Sequence, residues 1–165
     1  MTANRISYTP IGVIRSPFKV AEGTPIQPAA GKGIRGTVEV FPAHARGLKD
    51  LVRFSHIILV YHFHLSTKSS LQVRPFMDDK LRGVFATRAP SRPNPIGMSV
   101  VRLIRRKRNI LHIQDLDIID GTPLLDIKPY VPEFDHRKKA MYRIGWLKKR
   151  AHHVTSTKAD RRFAR

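Results

Sequence analysis

Hydrophobic and polar positions alternate over short distances through the first 130 residues, and Pro- and Gly-rich stretches separate the alternating runs. In residues 33–41, Val38 and Val40 fall on one face while Thr37, Glu39 and Phe41 fall on the other. Residues 54–64 are β-branched and aromatic, which is typical of a central strand. Further strands are predicted at 11–14, 83–87, 99–104 and 110–116, the last two flanking RRKRN as a hairpin with a basic tip.

Helical periodicity is weak in this chain. Residues 44–52 predict one short helix, because Leu48 and Leu51 are three positions apart. Strands and helices do not alternate, so a doubly wound parallel sheet is disfavoured. We therefore predict a mainly β fold, a small closed or nearly closed β-barrel of short strands with little helix, over residues 1–135. A basic C-terminal segment, 136–165, either packs on the barrel surface or trails from it.

Composition narrows the class of protein. Hydrophobic residues make up 41% of the chain and charged residues 26%, which is typical of a globular protein. Cysteine is absent, which excludes disulfides, thiolate metal sites and cysteine nucleophiles. The longest apolar run, 57–61, is too short to cross a bilayer, and the N-terminus lacks the apolar run of a signal peptide. We expect a cytoplasmic protein.

The net charge points to a polyanionic partner. The chain has 31 Lys and Arg residues against 12 Asp and Glu residues, a formal charge of +19. Residues 136–165 hold eleven basic residues and one acid, about half of the excess. A solubilising tail or an anionic membrane patch would also explain this charge. Nucleic acid is favoured because the segment lacks the sustained apolar stripe of a membrane-surface helix.

A proline-rich loop at residues 87–98, TRAPSRPNPIGM, is the first candidate site. Three prolines within six positions exclude a helix interior and a central strand, and they stiffen the backbone. A stiff loop that carries Arg88, Arg92 and Asn94 suits ligand binding, because little entropy remains to be lost. Gly97 allows a turn or a close approach before the next strand. The alternative is a structural crossover with surface arginines.

A second candidate lies at residues 116–130, where an aspartate-glycine turn follows a strand. Its backbone groups would suit an adenine edge or an amino-acid moiety. Asp117, Asp120 and Asp126 could each act as a general base or orient a substrate N–H. Alternatively, Asp126 pairs with Lys128 on one face, and Asp120 only caps its own turn.

Metal and nucleotide motifs are weak or missing. His62 and His64 alternate on one predicted strand face, but a third ligand is not evident, so we expect packing or substrate contacts and no metal. The sequence contains no GxxxxGK[ST], GxGxxG or GxSxG motif. This argues against a nucleoside triphosphatase, a Rossmann enzyme and an α/β-hydrolase.

Four blocks together carry a family resemblance. They are PIGVIRSPFK at 10–19, GL at 47–48 with FSHI at 54–57, GVFATR at 83–88 with RPNPIGMS at 92–99, and DGTP at 120–123 with DIKPY at 126–130. In this order they resemble the tRNA N6-threonylcarbamoyladenosine N6-methyltransferase family of TsaA-like β-barrel proteins, over about residues 8–135. The resemblance implies an S-adenosylmethionine-binding barrel, a homodimer with the cofactor near the subunit interface, and methyl transfer to N6 of threonylcarbamoyladenosine beside the tRNA anticodon.

The resemblance also implies where the cofactor binds. The contacts would come from two loops that follow strands and from the two candidate sites above: Pro28, Ala29, Ala30, Leu65, Ser66, Arg88, Met98, Gly121, Thr122, Pro123 and Leu124. Many relatives carry Pro-Gly-Leu at 28–30, so contacts there would be mainly through the backbone. The longer bacterial members continue into a further domain, where this chain has its basic segment.

These expectations combine into a mechanism. The N6 nitrogen is urea-like and a poor nucleophile, so we hypothesise that Asp120 accepts or steers its proton. Arg88 or Arg92 would bind the threonyl carboxylate or a phosphate. The basic segment would supply tRNA affinity without contributing to cofactor binding. The alternatives are a methyltransferase of the same fold that acts on another RNA or a small molecule, and a non-catalytic RNA-binding barrel.

Overall fold

A closed antiparallel barrel of six strands dominates the computed structural model, which describes residues 5–136 and 142–163. Its strands follow the order β1-β2-β7-β6-β3-β8 around the barrel. Their bounds are β1 Gly12–Arg15, β2 Arg35–Val40, β3 His56–His62, β6 Ile96–Lys107, β7 Ile110–Gln114 and β8 Thr122–Pro129. Two short strands, β4 Gln72–Val73 and β5 Arg82–Gly83, form a separate hairpin-like sheet. The predicted small β-barrel is confirmed.

The barrel interior is filled by every second residue of its strands. Along β3, Ile57, Leu59 and Tyr61 are buried while their neighbours are half-buried on the outer face. Val38 and Val40 of β2 point into the same core, as the alternation predicts. Because side chains in a strand alternate between faces, this pattern closes the sheet around one apolar interior.

The predicted hairpin at the basic tip is confirmed and is longer than expected. Strand β6 runs through the basic residues to Lys107, which pairs with Ile110 of β7. The turn itself is Arg108-Asn109, and Arg108 adopts a positive φ of 55°. Most of RRKRN is therefore strand, at the far end of β6 from Ile96.

Two local predictions are corrected. The helix predicted at 44–52 is replaced by two 3-10 segments, Pro42–Leu48 and Leu51–Arg53. The strand predicted at 83–87 ends at Gly83, and Val84–Ala86 form a 3-10 turn. That turn is stabilised because the Thr87 N–H and hydroxyl both donate to the Val84 carbonyl oxygen. The other short elements before residue 137 are a 3-10 turn at Pro28–Gly31 and helix α1 at Pro132–Asp135.

Residues 142–163, which we call the C-terminal strap, pack against the barrel loops and do not trail from them. The Gly23 N–H donates to the Ala159 carbonyl (2.8 Å), and the Ala159 N–H donates to the Thr24 carbonyl (2.9 Å). The Phe163 ring meets the Phe76 ring edge-on at 5.0 Å. Three 3-10 segments make up most of the strap: Gly145–Lys149, Ala151–Thr155 and Arg161–Phe163.

Within the two described ranges, no helix is long and apolar enough to span a membrane.

Candidate ligand-binding site

A cavity of about 820 Å³ lies at the end of the barrel where β3 stops and β6 begins. Its walls come from the loop after β1, the proline-rich loop, the strand ends and the C-terminal strap. Most lining side chains are apolar, with a few polar groups among them. This volume and this mixture are typical of sites for small molecules.

Seven of the thirteen predicted site residues line this cavity: Ala29, Leu65, Ser66, Arg88, Arg92, Met98 and Thr122. They come from four separate parts of the chain, so the fold brings the two candidate loops together. Six others do not line it: Pro28, Ala30, Asp120, Gly121, Pro123 and Leu124. Leu124 is completely buried in the barrel core. The predicted cofactor contacts themselves remain predictions.

The proline-rich loop is held by its own polar groups. Arg92 Nη1 donates to the carbonyl oxygens of Thr87 (3.2 Å) and Ala89 (3.1 Å). Ser66 Oγ, which follows β3, donates to the Pro90 carbonyl at 3.0 Å. Arg88 instead reaches across the cavity, where its Nη1 donates to Gln27 Oε1 at 2.6 Å. Arg92 therefore braces its own loop, whereas Arg88 connects that loop to the segment after β1.

Gly97 lets β6 approach the ring of Tyr61 at the cavity floor. A Cβ atom built on Gly97 would lie 2.2 Å from a carbon of that ring, which is too close for any side chain. The aspartate-glycine turn is present as predicted, with Gly121 at φ +77°. The next residue, Thr122, donates its hydroxyl to the Ile119 carbonyl at 2.7 Å and lies 3.3 Å from His64 Nδ1.

The carboxylate of Asp120 does not line the cavity, and both of its oxygens accept hydrogen bonds elsewhere. Its Oδ2 accepts from Lys19 Nζ at 2.7 Å and its Oδ1 accepts from the Ser16 N–H at 3.0 Å. These hydrogen bonds, that of Lys19 first, lower the pKa of Asp120 below its ordinary value. The carboxylate thus pins the loop after β1, and the role of Asp120 as proton acceptor stays a prediction.

Asp117 is the carboxylate that faces the cavity. Its Oδ1 accepts from Ser99 Oγ at 2.7 Å, and Ser99 Oγ lies 3.0 Å from the hydroxyl of Tyr61. Burial raises the pKa of Asp117 to about 6, against the opposing effects of the Ser99 hydrogen bond and of Arg88. From the sequence, Asp117 is one of three candidate aspartates, and Asp120 is the one predicted to accept the proton. Asp117 lies in the segment between β7 and β8, between the buried Leu116 and Ile118, and only the folded chain shows that its carboxylate meets Ser99.

The C-terminal strap supplies one wall of the cavity, which the sequence analysis did not anticipate. Trp146, Leu147, Val154 and Phe163 contribute side chains to that wall. Trp146 Nε1 donates to the Ala86 carbonyl at 2.8 Å. These apolar residues are scattered among lysines and arginines, so no simple periodicity reveals them.

A buried ion pair anchors the same strap. Asp78 has a fully buried side chain, which accepts from Arg82 at 2.7 Å and lies 3.3 Å from Arg150 Nη2 of the strap. Arg150 also donates to the Met77 carbonyl at 2.8 Å. The hydrogen bonds, that of Arg82 first, hold the pKa of Asp78 well below its usual range. Arg150 thus links the strap to a buried carboxylate that Arg82 also neutralises, and this contact holds the strap in place.

The histidines form no metal site in the part of the chain that the structure describes. No group of three or more His, Asp or Glu side chains is close enough there to hold a metal ion. Strand β3 ends at His62, so His64 lies in the following loop and lines the cavity. Burial, followed by the neighbouring His62, lowers the pKa of His64.

The closed barrel and its loop-bounded cavity define a β-barrel protein with a small-molecule site. The sequence model described as the tRNA-methyltransferase O N-terminal domain matches residues 13–136. The chain therefore belongs to the tRNA-methyltransferase O N-terminal domain family.

Known relatives agree with this placement. A probable S-adenosyl-L-methionine-binding protein of Pyrococcus abyssi is 61% identical, over 96% of this chain and 85% of the relative. The tRNA (adenine(37)-N6)-methyltransferase of Escherichia coli is 39% identical, over 76% of this chain and 57% of the relative. A crystal structure of TrmO from Pseudomonas aeruginosa superimposes with a TM-score of 0.70 at 41% identity, covering 84% of this chain and 61% of that one. The chain thus spans about three fifths of the latter two proteins.

Proposed function

We propose that this chain is an S-adenosylmethionine-dependent methyltransferase that modifies tRNA at N6 of threonylcarbamoyladenosine, at position 37 beside the anticodon. The observation that carries the proposal is the cavity, where six of the eleven predicted cofactor residues meet in a chain related to a tRNA (adenine(37)-N6)-methyltransferase. The relative from Pyrococcus abyssi, which extends over nearly the whole chain, bears the name of an S-adenosyl-L-methionine-binding protein.

The cavity suits S-adenosylmethionine in size and chemistry. Apolar side chains such as Leu65 and Met98 can pack against an adenine ring, and Thr122 and Ser66 offer hydroxyl groups at its edge. Arg88 can pair with a carboxylate, because its side-chain hydrogen bond to Gln27 is to a neutral amide that an anion could replace. When bound, S-adenosylmethionine supplies an electrophilic methyl group on a positively charged sulfur. The residues of this chain would hold it and orient the nucleophile.

Positioning should supply much of the rate in such a reaction. The prolines and the Arg92 hydrogen bonds give a loop that is already ordered before a ligand arrives. The stiff loop can therefore fix the reacting atoms at a low entropic cost. Arg88 would bind either the cofactor carboxylate or the threonyl carboxylate of the modified base. Both are anions that a guanidinium binds in a bidentate manner.

The charge distribution supports tRNA as the partner. Apolar side chains of the strap line the cavity, while its Lys148, Lys149 and Lys158 are exposed and do not line it. A polyanion that binds this surface would lie beside the cavity wall. Such a substrate would place the protein in the cytoplasm.

An apolar outer face supports a homodimer. Ile58 and Val60 of β3 lie beside Val100 and Met98 of β6 on the outside of the barrel. Met98 is 57% exposed, and the adjacent Ile96 is 40% exposed. Met98 and Ile96 also line the cavity, so a second copy packed here would lie against the ligand site. Sedimentation analysis at several concentrations tests this, with Met98→Glu expected to shift the equilibrium toward the monomer.

A reconstituted reaction tests the proposed function. The purified chain is incubated with S-adenosylmethionine that carries a deuterated methyl group and with tRNA that does or does not bear the threonylcarbamoyl group. Mass spectrometry of the nucleosides should find the label on threonylcarbamoyladenosine alone. Label on unmodified adenosine would refute the substrate. Cofactor binding by calorimetry without transfer to either tRNA would indicate a binding protein and refute the enzyme.

A further inference from the structure

The carboxylate of Asp117 has a position in the cavity that no other acid shares. Among the described residues that line the cavity, Asp117 is the only aspartate or glutamate. It comes from the segment between β7 and β8, and it faces Ser99 of β6 and Tyr61 of β3. Ser99 and Tyr61 are almost completely buried, at 2% and 5% exposure.

The hydrogen bonds around Asp117 run in one direction. A serine hydroxyl has a single proton, and Ser99 uses it to donate to Asp117 Oδ1. Tyr61 must then be the donor in its contact with Ser99. Tyr61 therefore donates to Ser99, and Ser99 donates to Asp117, so that the two hydrogen bonds orient the carboxylate. Oδ1 is therefore fixed by Ser99, which orients the carboxylate so that Oδ2 could accept a proton.

Other charged and titratable groups also face this region. Arg88 favours the ionised form of Asp117, whereas Asp117 and burial together raise the pKa of Tyr61. Arg92 and His64 line the same cavity. Burial raises the pKa of Asp117 to about 6, so the group is mostly ionised at neutral pH and is more basic than an ordinary aspartate. A base with a pKa near the working pH is well suited to proton transfer.

We propose that Asp117 accepts the N6 proton of the target base during methyl transfer, and that Ser99 and Tyr61 are positioning residues for its carboxylate. This inference rests on the function proposed above. The N6–H bond breaks and an O–H bond forms on Asp117, while the nitrogen lone pair forms the new N–C bond. The electron pair of the broken C–S bond stays on sulfur. The sulfonium charge and the carboxylate charge are thereby neutralised in one step.

The test compares three aspartate variants under single-turnover conditions with threonylcarbamoyl-modified tRNA. Asp117→Asn should slow methylation by about 100- to 10,000-fold, the usual contribution of a general base, with cofactor affinity by calorimetry changed less than about threefold. Asp126→Asn is the matched control, because Asp126 is half-buried, is paired with Lys128 and does not line the cavity. Asp120→Asn tests the competing assignment and should leave the rate within about tenfold.

The pH dependence separates Asp117 from its neighbour His64. The wild-type rate should rise with pH through about 6, the pKa of Asp117, and Asp117→Asn should abolish this rise. His64→Asn should retain it. Loss of the rise in His64→Asn and not in Asp117→Asn would overturn the inference. So would a full single-turnover rate in Asp117→Asn.

A readout that does not depend on activity uses the free protein. Carboxyl ¹³C NMR of labelled aspartates should show Asp117 titrating near 6, the wild-type value. Ser99→Ala removes a hydrogen bond to the ionised form and should move that midpoint upward, whereas Ser99→Thr should restore it. An ordinary midpoint near 4 would overturn the inference. A wild-type protein that transfers no methyl group would refute the proposed function, and this inference with it. Activity that survives in Asp117→Asn would refute the inference alone.

Discussion

The buried, ionised carboxylate of Asp117 should lower the free energy of unfolding at neutral pH. Replacing Asp117 by asparagine should therefore stabilise the protein. Burial raises its pKa from 3.8 to about 6. Each unit corresponds to 1.36 kcal/mol, so the ionised form destabilises the folded state by about 3 kcal/mol when the carboxyl is fully charged. The sign follows from the raised pKa. Below the pKa of the unfolded state the carboxyl is protonated in both states and costs the folded state no free energy through its charge. The free energy of unfolding then falls as the pH rises through about 6.

The substitution Asp117→Asn keeps the shape of the side chain and removes the titration. The free energy of unfolding of the variant minus that of wild type should therefore increase by about 2 kcal/mol from about pH 4.5 to about pH 8. Urea unfolding of the ligand-free protein at the two pH values measures this gain. Asp126→Asn serves as the control, because nearly half of the Asp126 side chain is in contact with solvent and it pairs with Lys128. A stability difference between Asp117→Asn and wild type that did not change with pH would show that burial does not raise the pKa of Asp117.

Three further predictions concern the cavity and the strap. Gly97→Ala should lower stability by about 2 kcal/mol, because its methyl group would overlap the Tyr61 ring; unchanged thermal unfolding would contradict this. Arg150→Ala should make the strap more sensitive to limited proteolysis, because it removes one of the two arginines that pair with Asp78. Lys149→Ala, at an exposed position, is the control and should not have this effect. Equal cleavage of the two variants would contradict the anchoring role of Arg150. Deletion of residues 142–165 should weaken S-adenosylmethionine binding, because the strap is a wall of the cavity. It should also weaken tRNA binding and reduce the salt dependence of that binding, because the strap is basic. Intact cofactor affinity in a folded truncated protein would contradict the first of these results.

The barrel was predictable because its information is local. Alternation in β2 and β3 places the core residues, and the turn residues between strands limit the strand lengths. The proline-rich loop could be recognised for the same reason, since proline restricts its own backbone and that of its predecessor. Both features follow from chemistry within about ten residues of chain, which the printed sequence contains directly.

The roles of the aspartates depend on contacts between distant parts of the chain. Asp117 and Asp120 are three positions apart, and their local sequence does not reveal which of them meets Ser99 and which meets Lys19. Lys19 lies 101 positions from Asp120, so only the closed barrel brings them together. The position of the C-terminal strap depends in the same way on the remote pair Arg150 and Asp78.

The central claim is that this chain methylates threonylcarbamoyladenosine in tRNA. The most direct measurement is mass spectrometry of tRNA nucleosides from a strain in which only this gene is deleted, with the gene restored on a plasmid as the control. In the deletion strain, N6-methyl-threonylcarbamoyladenosine should disappear and threonylcarbamoyladenosine should rise by an equal amount. Restoration of the gene should reverse both changes. An unchanged level of the methylated nucleoside in the deletion strain would contradict the claim.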